Sequence, residues 1–587
     1  MKFYFPILLL FISSLSSATA QDYYIKGQVK DEAGNLLQKV SILHSRSGYL
    51  FYSGTSGLFG IISNQKTDTL VFSLDGYQQQ KQIVDAWNFT TITLKRSSTN
   101  KNTREYKLAS LTKNLKREAQ RQWFTGEETY ASVVENQFVN TTQYSTTGIA
   151  LNVDRASYSN IRRFLNMNSY VPPDAVRIEE LLNYFNFNYK EPKNNKTFET
   201  ETIFTNCPWS KDNQLLFVNI RSRKIQLDSL PPSHLVFLID VSGSMDMPNR
   251  LPLLKAGFRS LVNNLREKDS VSIVVYGAMV GVMLNATSGA EKEKIFKIID
   301  ALTPGGSTPG ESGLKLAYLI ANQHFIKNGN NRVILATDGD FNVGVKTEEE
   351  LEELILSQQR SGIYLTCLGV GMGNYKDSKI QTLAQKGNGN FAYIDNFAEA
   401  DKVLLKEFTQ TVYTVADNVF LNVAFDPEYV KEYRLIGFDN KAEAIKDTSS
   451  TIEGGVIGPA YSINIAFEIV PTTLNLNTIS TKKLLTPVKF LLNYKNPNDS
   501  KKSELTENPG ILFTSFAALD NNYQFASAII MFGSLLRNSK YMKHVQWNEI
   551  AELATEAADK NNFLQQEFIT LVQQAKLIYA KKRKKRN

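Results

Sequence analysis

Between residues 231 and 412 the chain alternates short, almost wholly apolar runs with amphipathic stretches, an order that few folds accept. Leu235-Val236-Phe237-Leu238-Ile239 and Val333-Ile334-Leu335-Ala336-Thr337 read as strands buried on both faces of a parallel sheet. Further strands are predicted at 270–276, 280–284, 364–370 and 390–394. Apolar residues at helical spacing mark 251–265, 291–302, 313–325, 348–359, 378–386 and 398–411. Strand and helix in strict alternation imply a doubly wound α/β, Rossmann-like domain.

The chemistry sits where those strands end. The run 235–239 leads into Asp240-Val241-Ser242-Gly243-Ser244, and 333–337 leads into Asp338-Gly339. Gly305-Gly306-Ser307-Thr308 forms a loop just ahead of a predicted helix. Doubly wound sheets bind ligands at the carboxyl ends of their strands. Two carboxylates and three hydroxyls converging there suit a hard cation, which takes oxygen ligands and keeps positions for water or a partner group. Each piece alone is an ordinary turn sequence; their order on successive strand ends gives them weight. The predicted ligands are Asp240, Ser242, Ser244, Thr308 and Asp338, for Mg²⁺ or else Mn²⁺ or Ca²⁺. An ion left underneutralised by this set attracts a carboxylate from a partner protein.

These residues carry a family resemblance. Region 231–412 resembles a von Willebrand factor type A domain, and the five residues match its metal-ion-dependent adhesion site at every position. The resemblance implies a divalent-metal-dependent, non-catalytic binding or adhesion module that captures an acidic residue of its partner. It also implies that the closing helix, 398–411, can shift when the metal acquires a ligand, unless the C-terminal domain attached to it clamps it. The segment 136–191 is similar to the domain that precedes the type A domain in a group of bacterial cell-envelope proteins. Arg434-Leu435-Ile436-Gly437-Phe438-Asp439-Asn440, Gly454-Gly455-Val456-Ile457-Gly458 and the alternating run 461–469 resemble their C-terminal domain.

The remaining chain divides around this centre. Residues 1–20 follow the charged, apolar and small-residue order of an export signal ending Ala18-Thr19-Ala20. Residues 21–96 read as a small β-sandwich, from strand-like runs at 25–29, 40–42, 69–73 and 91–94 punctuated by glycine. Their order resembles a carboxypeptidase regulatory-like domain, which implies a structural or docking module. Residues 97–130 form a linker. Residues 131–230 form the domain before the type A domain, with helices expected from about Ala156, capped by Asp154, and just beyond Pro172-Pro173. Residues 413–580 form a mixed β/α-helical C-terminal domain, and 581–587 a basic tail. The whole is a multidomain α+β protein.

Charge and composition narrow the function. The chain has 66 basic and 58 acidic residues, but Lys2 and the six basic residues of 581–586 account for nearly all the excess. A neutral body is not the phosphate-matching surface of a nucleic-acid binder. The tail is a solvated end, or a peripheral contact with an anionic surface. Four histidines, none near Ser242 or Ser244 in sequence, leave no general base for a hydrolase, so metal-assisted hydrolysis is a remote alternative. His234 and His324 are expected to be structural. Cys207 and Cys367 are expected to be buried thiols, and a bridge between them does not follow from sequence. The expected location is the exported side of a cell envelope: periplasm, outer-membrane-associated, or cell surface or secreted. The main alternative is an assembly scaffold with a closed or degenerate metal site.

Overall fold

The structure, a computed structural model, describes residues 23–38, 40–45, 50–54, 56–63, 65–74, 77–96, 128–187, 189–194, 196–306, 310–339, 348–373, 375–439, 454–480, 482–496 and 502–584. The chain divides into two compact units, Met1–Glu105 and Tyr106–Asn587. The export signal, most of the linker and the end of the basic tail lie outside the described residues.

The first unit contains β1 (Tyr23–Asp31), β2 (Ser41–His44), β3 (Leu50–Tyr52), β4 (Leu58–Ser63), β5 (Thr67–Ser73), β6 (Gln80–Asp85) and β7 (Thr90–Leu94). One sheet has the order β4-β1-β7 and the other β3-β2-β5-β6. Alternate residues point inward, as the pleat dictates. Ile25, Val29, Ile42, Leu70 and Phe72 therefore meet in one apolar core between the sheets.

The second unit opens with β8 (Val139–Asn140), β9 (Thr146–Ala150), α1 (Ala156–Asn166), α2 (Ile178–Leu182), β10 (Phe198–Asn206) and β11 (Gln214–Ser222). Asp154 does not cap α1, whose first turn has no side-chain cap; it is half-buried, and its carboxylate accepts from Phe391 N at 2.8 Å. Beyond the Pro172-Pro173 pair there is a single 3₁₀ turn, Pro173–Ala175, and the α-helix begins only at Ile178. Val176 between them is extended, the backbone region a β-branched side chain prefers.

The α/β domain follows: β12 (Ser233–Val241), α3 (Leu251–Asn263), β13 (Ser270–Gly277), β14 (Gly281–Ser288), α4 (Lys292–Ala301), α5 (Gly310–Gln323), β15 (Asn330–Thr337), α6 (Glu348–Arg360), β16 (Ile363–Val370), α7 (Asp377–Lys386), β17 (Phe391–Ile394), α8 (Phe397–Asp401) and α9 (Phe408–Val412). The sheet order is β14-β13-β12-β15-β16-β17, parallel except for β14. Every residue of β12 is buried. Leu235, Phe237 and Ile239 pack toward α3, α4 and α8, whereas Val236 and Leu238 pack toward α5, α6 and α7. Each such side chain contributes about 1.5–3 kcal/mol by leaving water.

The predicted closing helix 398–411 is instead three pieces. Asn396 caps α8 by accepting from Glu399 N. A π-helical turn, Lys402–Lys406, follows, in which Glu407 N donates to Lys402 O, five residues back, at 2.9 Å. The inserted residue brings Lys402 and Glu407 together, 3.1 Å apart.

The remainder comprises β18 (Ala416–Phe425), β19 (Val430–Ile436), β20 (Gly455–Ile457), β21 (Ser462–Pro471), α10 (Thr473–Ser480), β22 (Val488–Lys495), β23 (Lys502–Glu507), β24 (Phe513–Thr514), α11 (Asn521–Leu536), α12 (Trp547–Ala557) and α13 (Phe563–Lys584). These elements interleave with those that precede the α/β domain. β8 pairs with β19, β9 with β18, and β11 with β21. Phe185 and Ile178 from one side share a core with Phe525, Phe532 and Phe568 from the other. Ser222 N donates to Tyr461 O at 2.9 Å and Val415 N to Ile457 O at 2.7 Å, so the chain leaves for the α/β domain and returns from it beside one short segment. Cys207 and Cys367 are free, buried thiols, and burial raises both well above an ordinary thiol.

Candidate metal centre

The crossover places the site. From β12 the chain builds β13 and β14 on one side, then returns to lay β15 on the other. The loops after β12 and β15 therefore diverge at the same edge and open a crevice. Ile239 pairs with Ala336, which sets Asp240 beside Thr337 and one residue from Asp338.

Asp240 is fully buried. One carboxylate oxygen accepts from Ser242 N at 2.8 Å and the other from the Thr337 hydroxyl at 3.2 Å. These donors are neutral. Burial, helped by the negative charge of Asp338, raises the Asp240 carboxyl to about 6 against the pull of the Ser242 hydrogen bonds. The turn Gly243–Met245 folds Ser244 back, bringing its Oγ to 3.0 Å from Ser242 Oγ. A buried carboxyl next to two hydroxyls, with a second carboxyl on the neighbouring strand end, is an all-oxygen donor set that fits a hard divalent cation. The same cation would offset the charge that burial makes costly. Among the described residues no group of three or more His, Cys, Asp or Glu side chains is placed to hold a metal; the set here has two carboxylates and otherwise hydroxyls.

The third loop is held at the same place. Gly305 N donates to Val241 O at 2.7 Å, Gly243 N to Gly306 O at 3.1 Å, and Ala278 N to Gly305 O at 2.7 Å. Gly306 has φ +77°, and a Cβ there would come within 2.1 Å of Ala278 Cα, so only glycine fits. Thr308, two residues on, lies outside the described residues, as does Asp340.

Arg250 is the feature that sequence reasoning missed. Its Nη1 donates to Asp338 Oδ2 at 2.8 Å and to Ser244 O at 2.6 Å, and its Nη2 donates to Met372 O at 3.0 Å. One guanidinium thus joins the loops after β12, β15 and β16. Nothing in Pro248-Asn249-Arg250-Leu251 distinguishes this arginine from a solvated charge. The loop after β16 is tied on its other side by Glu128, which pairs with Arg163 at 2.8 Å and accepts from Gly373 N at 2.7 Å.

His234 is fully buried, hydrogen-bonded to Ser272 and packed edge-on against His324. Burial and the neighbouring imidazole lower it to about 4. It lies six residues before Asp240 in β12, at the opposite end of the strand from the site.

Comparison with known proteins decides the family. The von Willebrand factor type A domain model matches residues 234–410. A von Willebrand factor model matches 124–217, and the model described as "Uncharacterized protein YfbK, C-terminal" matches 410–578. YfbK of Escherichia coli K12 is 36% identical over 473 residues, covering 77% of this chain and 81% of the relative. The chain belongs to the YfbK family. Its α/β domain is a von Willebrand factor type A domain flanked by the region that the von Willebrand factor model matches and by the YfbK C-terminal region, and it is a non-catalytic interaction module. A 67 kDa subunit of magnesium chelatase from Chlorobaculum parvum is 28% identical over 186 residues, 29% of each chain. A solved von Willebrand factor type A protein from Catenulispora acidiphila is 14% identical, with a TM-score of 0.38 over 64% of this chain and 88% of that one. Among the described residues no helix of this YfbK-family chain is long and apolar enough to cross a membrane.

Proposed function

We propose that the chain binds a partner protein through a divalent cation held by Asp240, Ser242, Ser244 and Asp338, with Thr308 completing the set by its match to the adhesion-site pattern. The observation that carries this reading is the pair of serine hydroxyls 3.0 Å apart beside the buried Asp240, at the strand edge that also bears Asp338. Bound there, Mg²⁺, Mn²⁺ or Ca²⁺ supplies an electrophilic position for a carboxylate of the partner. The chain's own residues hold the cation, and the loops around them present it. The export-signal pattern places this activity on the outer side of a cytoplasmic membrane, in the periplasm or at the cell surface. Residues 23–96, by their resemblance to a carboxypeptidase regulatory-like domain, act as a docking module. The basic tail makes peripheral contact with anionic surfaces.

The test is a thermal melt of residues 21–587 in EDTA and then in millimolar Mg²⁺ or Mn²⁺, beside Asp240→Ala and Ser244→Ala. A cation at 100 times its dissociation constant stabilises the fold by about 2.7 kcal/mol. A rise in midpoint that both variants lose supports the reading, and no rise in the parent chain sinks it. The scaffold reading has one observation in its favour: Arg250 already places a positive charge on Asp338. It predicts no rise with metal.

A further inference from the structure

Methionine is scarce in this chain: nine residues, of which Met1 lies outside the described ones. Met245, Met531 and Met542 are buried, as apolar residues should be. Of the five exposed ones, Met167 ends α1 and the other four are on the α/β domain. Met247 follows β12 and is 53% exposed; Met279 follows β13 and is 62% exposed; Met372 follows β16. Met283, with Val282, is exposed early in β14, the strand that Met279 leads into.

Met247, Met279 and Met372 are on loops already tied to the candidate site. Arg250 accounts for two of them, since its backbone N donates to Met247 O at 3.0 Å and its Nη2 to Met372 O at 3.0 Å, while Nη1 holds Asp338. Met279 follows Ala278, whose N donates to Gly305 O, the residue bonded in turn to Val241. The edge therefore has a polar, cation-suited centre and a rim of exposed thioethers on the loops around it, with Asp246 exposed beside Met247.

We infer that this rim is a docking surface for a protein segment in which a single Asp or Glu is flanked by large apolar side chains. The inference rests on the metal-dependent reading of the centre and specifies its partner. The centre is complementary to one negative charge. A carboxylate on it is bound tightly only if water is excluded, because Coulomb attraction weakens in a high-dielectric surround. The rim can exclude water only if the partner brings apolar atoms to cover it, the arrangement in which a ring of weak contacts shields a central strong one. Methionine is unbranched and polarisable, so it moulds to apolar side chains of different shape. A partner whose acid stood among serines or lysines would leave the thioethers in water.

The experiment uses the full mature chain and two fluorescent peptides, each with one central Glu, flanked in one by Leu and Phe and in the other by Ser. Binding is read by polarisation in millimolar Mg²⁺ and in EDTA, for the parent chain and for Met247→Ser/Met279→Ser/Met372→Ser. The expected result is Mg²⁺-dependent binding of the apolar-flanked peptide, at least tenfold tighter than that of the serine-flanked one. The triple variant should lose that preference while keeping its metal-dependent melting shift. A metal-dependent melt with equal binding of both peptides, or with binding of neither, overturns the rim and leaves the metal reading standing. Absence of the melting shift in the parent chain overturns both. Sedimentation of the chain alone supplies the remaining arm: a Mg²⁺-dependent dimer lost in the triple variant would assign the rim to a second copy and overturn the acidic-segment partner. Mild peroxide treatment, which adds one oxygen atom to each exposed thioether and releases water, should reproduce the triple variant's loss without any substitution.

Discussion

Arg250 donates to Asp338 Oδ2 at 2.8 Å, and under the proposed reading its charge would oppose a cation held there. Arg250→Gln removes the charge and leaves a neutral donor of shorter reach. The concentration of Mg²⁺ giving half the melting shift should then fall several-fold, a gain of about 1 kcal/mol. A several-fold rise would mean that Arg250 acts chiefly by holding the three loops in place. At this scale the sequence was legible where chemistry is local. Asp240, Ser242 and Ser244 lie within five residues, and a buried strand leads into them. Asp338 could be placed because a second buried strand ends there. Arg250 could not, because its partners are Asp338 and Met372, 88 and 122 residues away in sequence. The same holds for Asp154, which resembles a helix cap locally and serves Phe391 instead.

At the scale of elements, the segment closing the type A domain is fastened by charges. Arg162 of α1 donates to Asp395 at 2.8 Å, Glu399 at 2.7 Å and Glu567 at 2.9 Å, so one guanidinium joins α1 to the start of α8 and to α13. Arg155 pairs with Glu407 at 2.7 Å beyond the π turn. Burial raises Asp395 and Glu399, and Arg162 opposes that rise. Arg162→Met fills the space but leaves buried carboxylates without their counterion. It should lower the urea unfolding free energy by about 3–5 kcal/mol and accelerate amide exchange first in 397–412. Unchanged exchange there would show that packing against α3, where Leu404 lies 2.8 Å from the Cβ position of Gly257, holds the segment alone. Helical periodicity in 398–411 predicted one continuous helix because apolar spacing does not register a single inserted residue. The strands of the α/β sheet were legible because an apolar run buried on both faces has few other readings. The helices on its two faces followed from their spacing.

At the scale of the molecule, the type A domain stands between two stretches of chain that complete each other's sheets and core. Replacing residues 225–412 by a short Gly-Ser linker should leave a body that still unfolds cooperatively by circular dichroism. Its midpoint should be lower, because Arg177 loses Asp377 and Arg162 loses Asp395. A chain that fails to fold would mean that the type A domain nucleates its host. The strands of this body were visible in the sequence as alternating runs, but their pairing was not. β11 and β21 pair in register across more than 240 residues, and no local pattern encodes a partner that distant. The two connections have a mechanical meaning as well. The chain departs after Ser222 and returns at Val415, and both points are bonded to the segment 457–461. A partner that pulled on the type A domain would therefore load two covalent tethers in parallel.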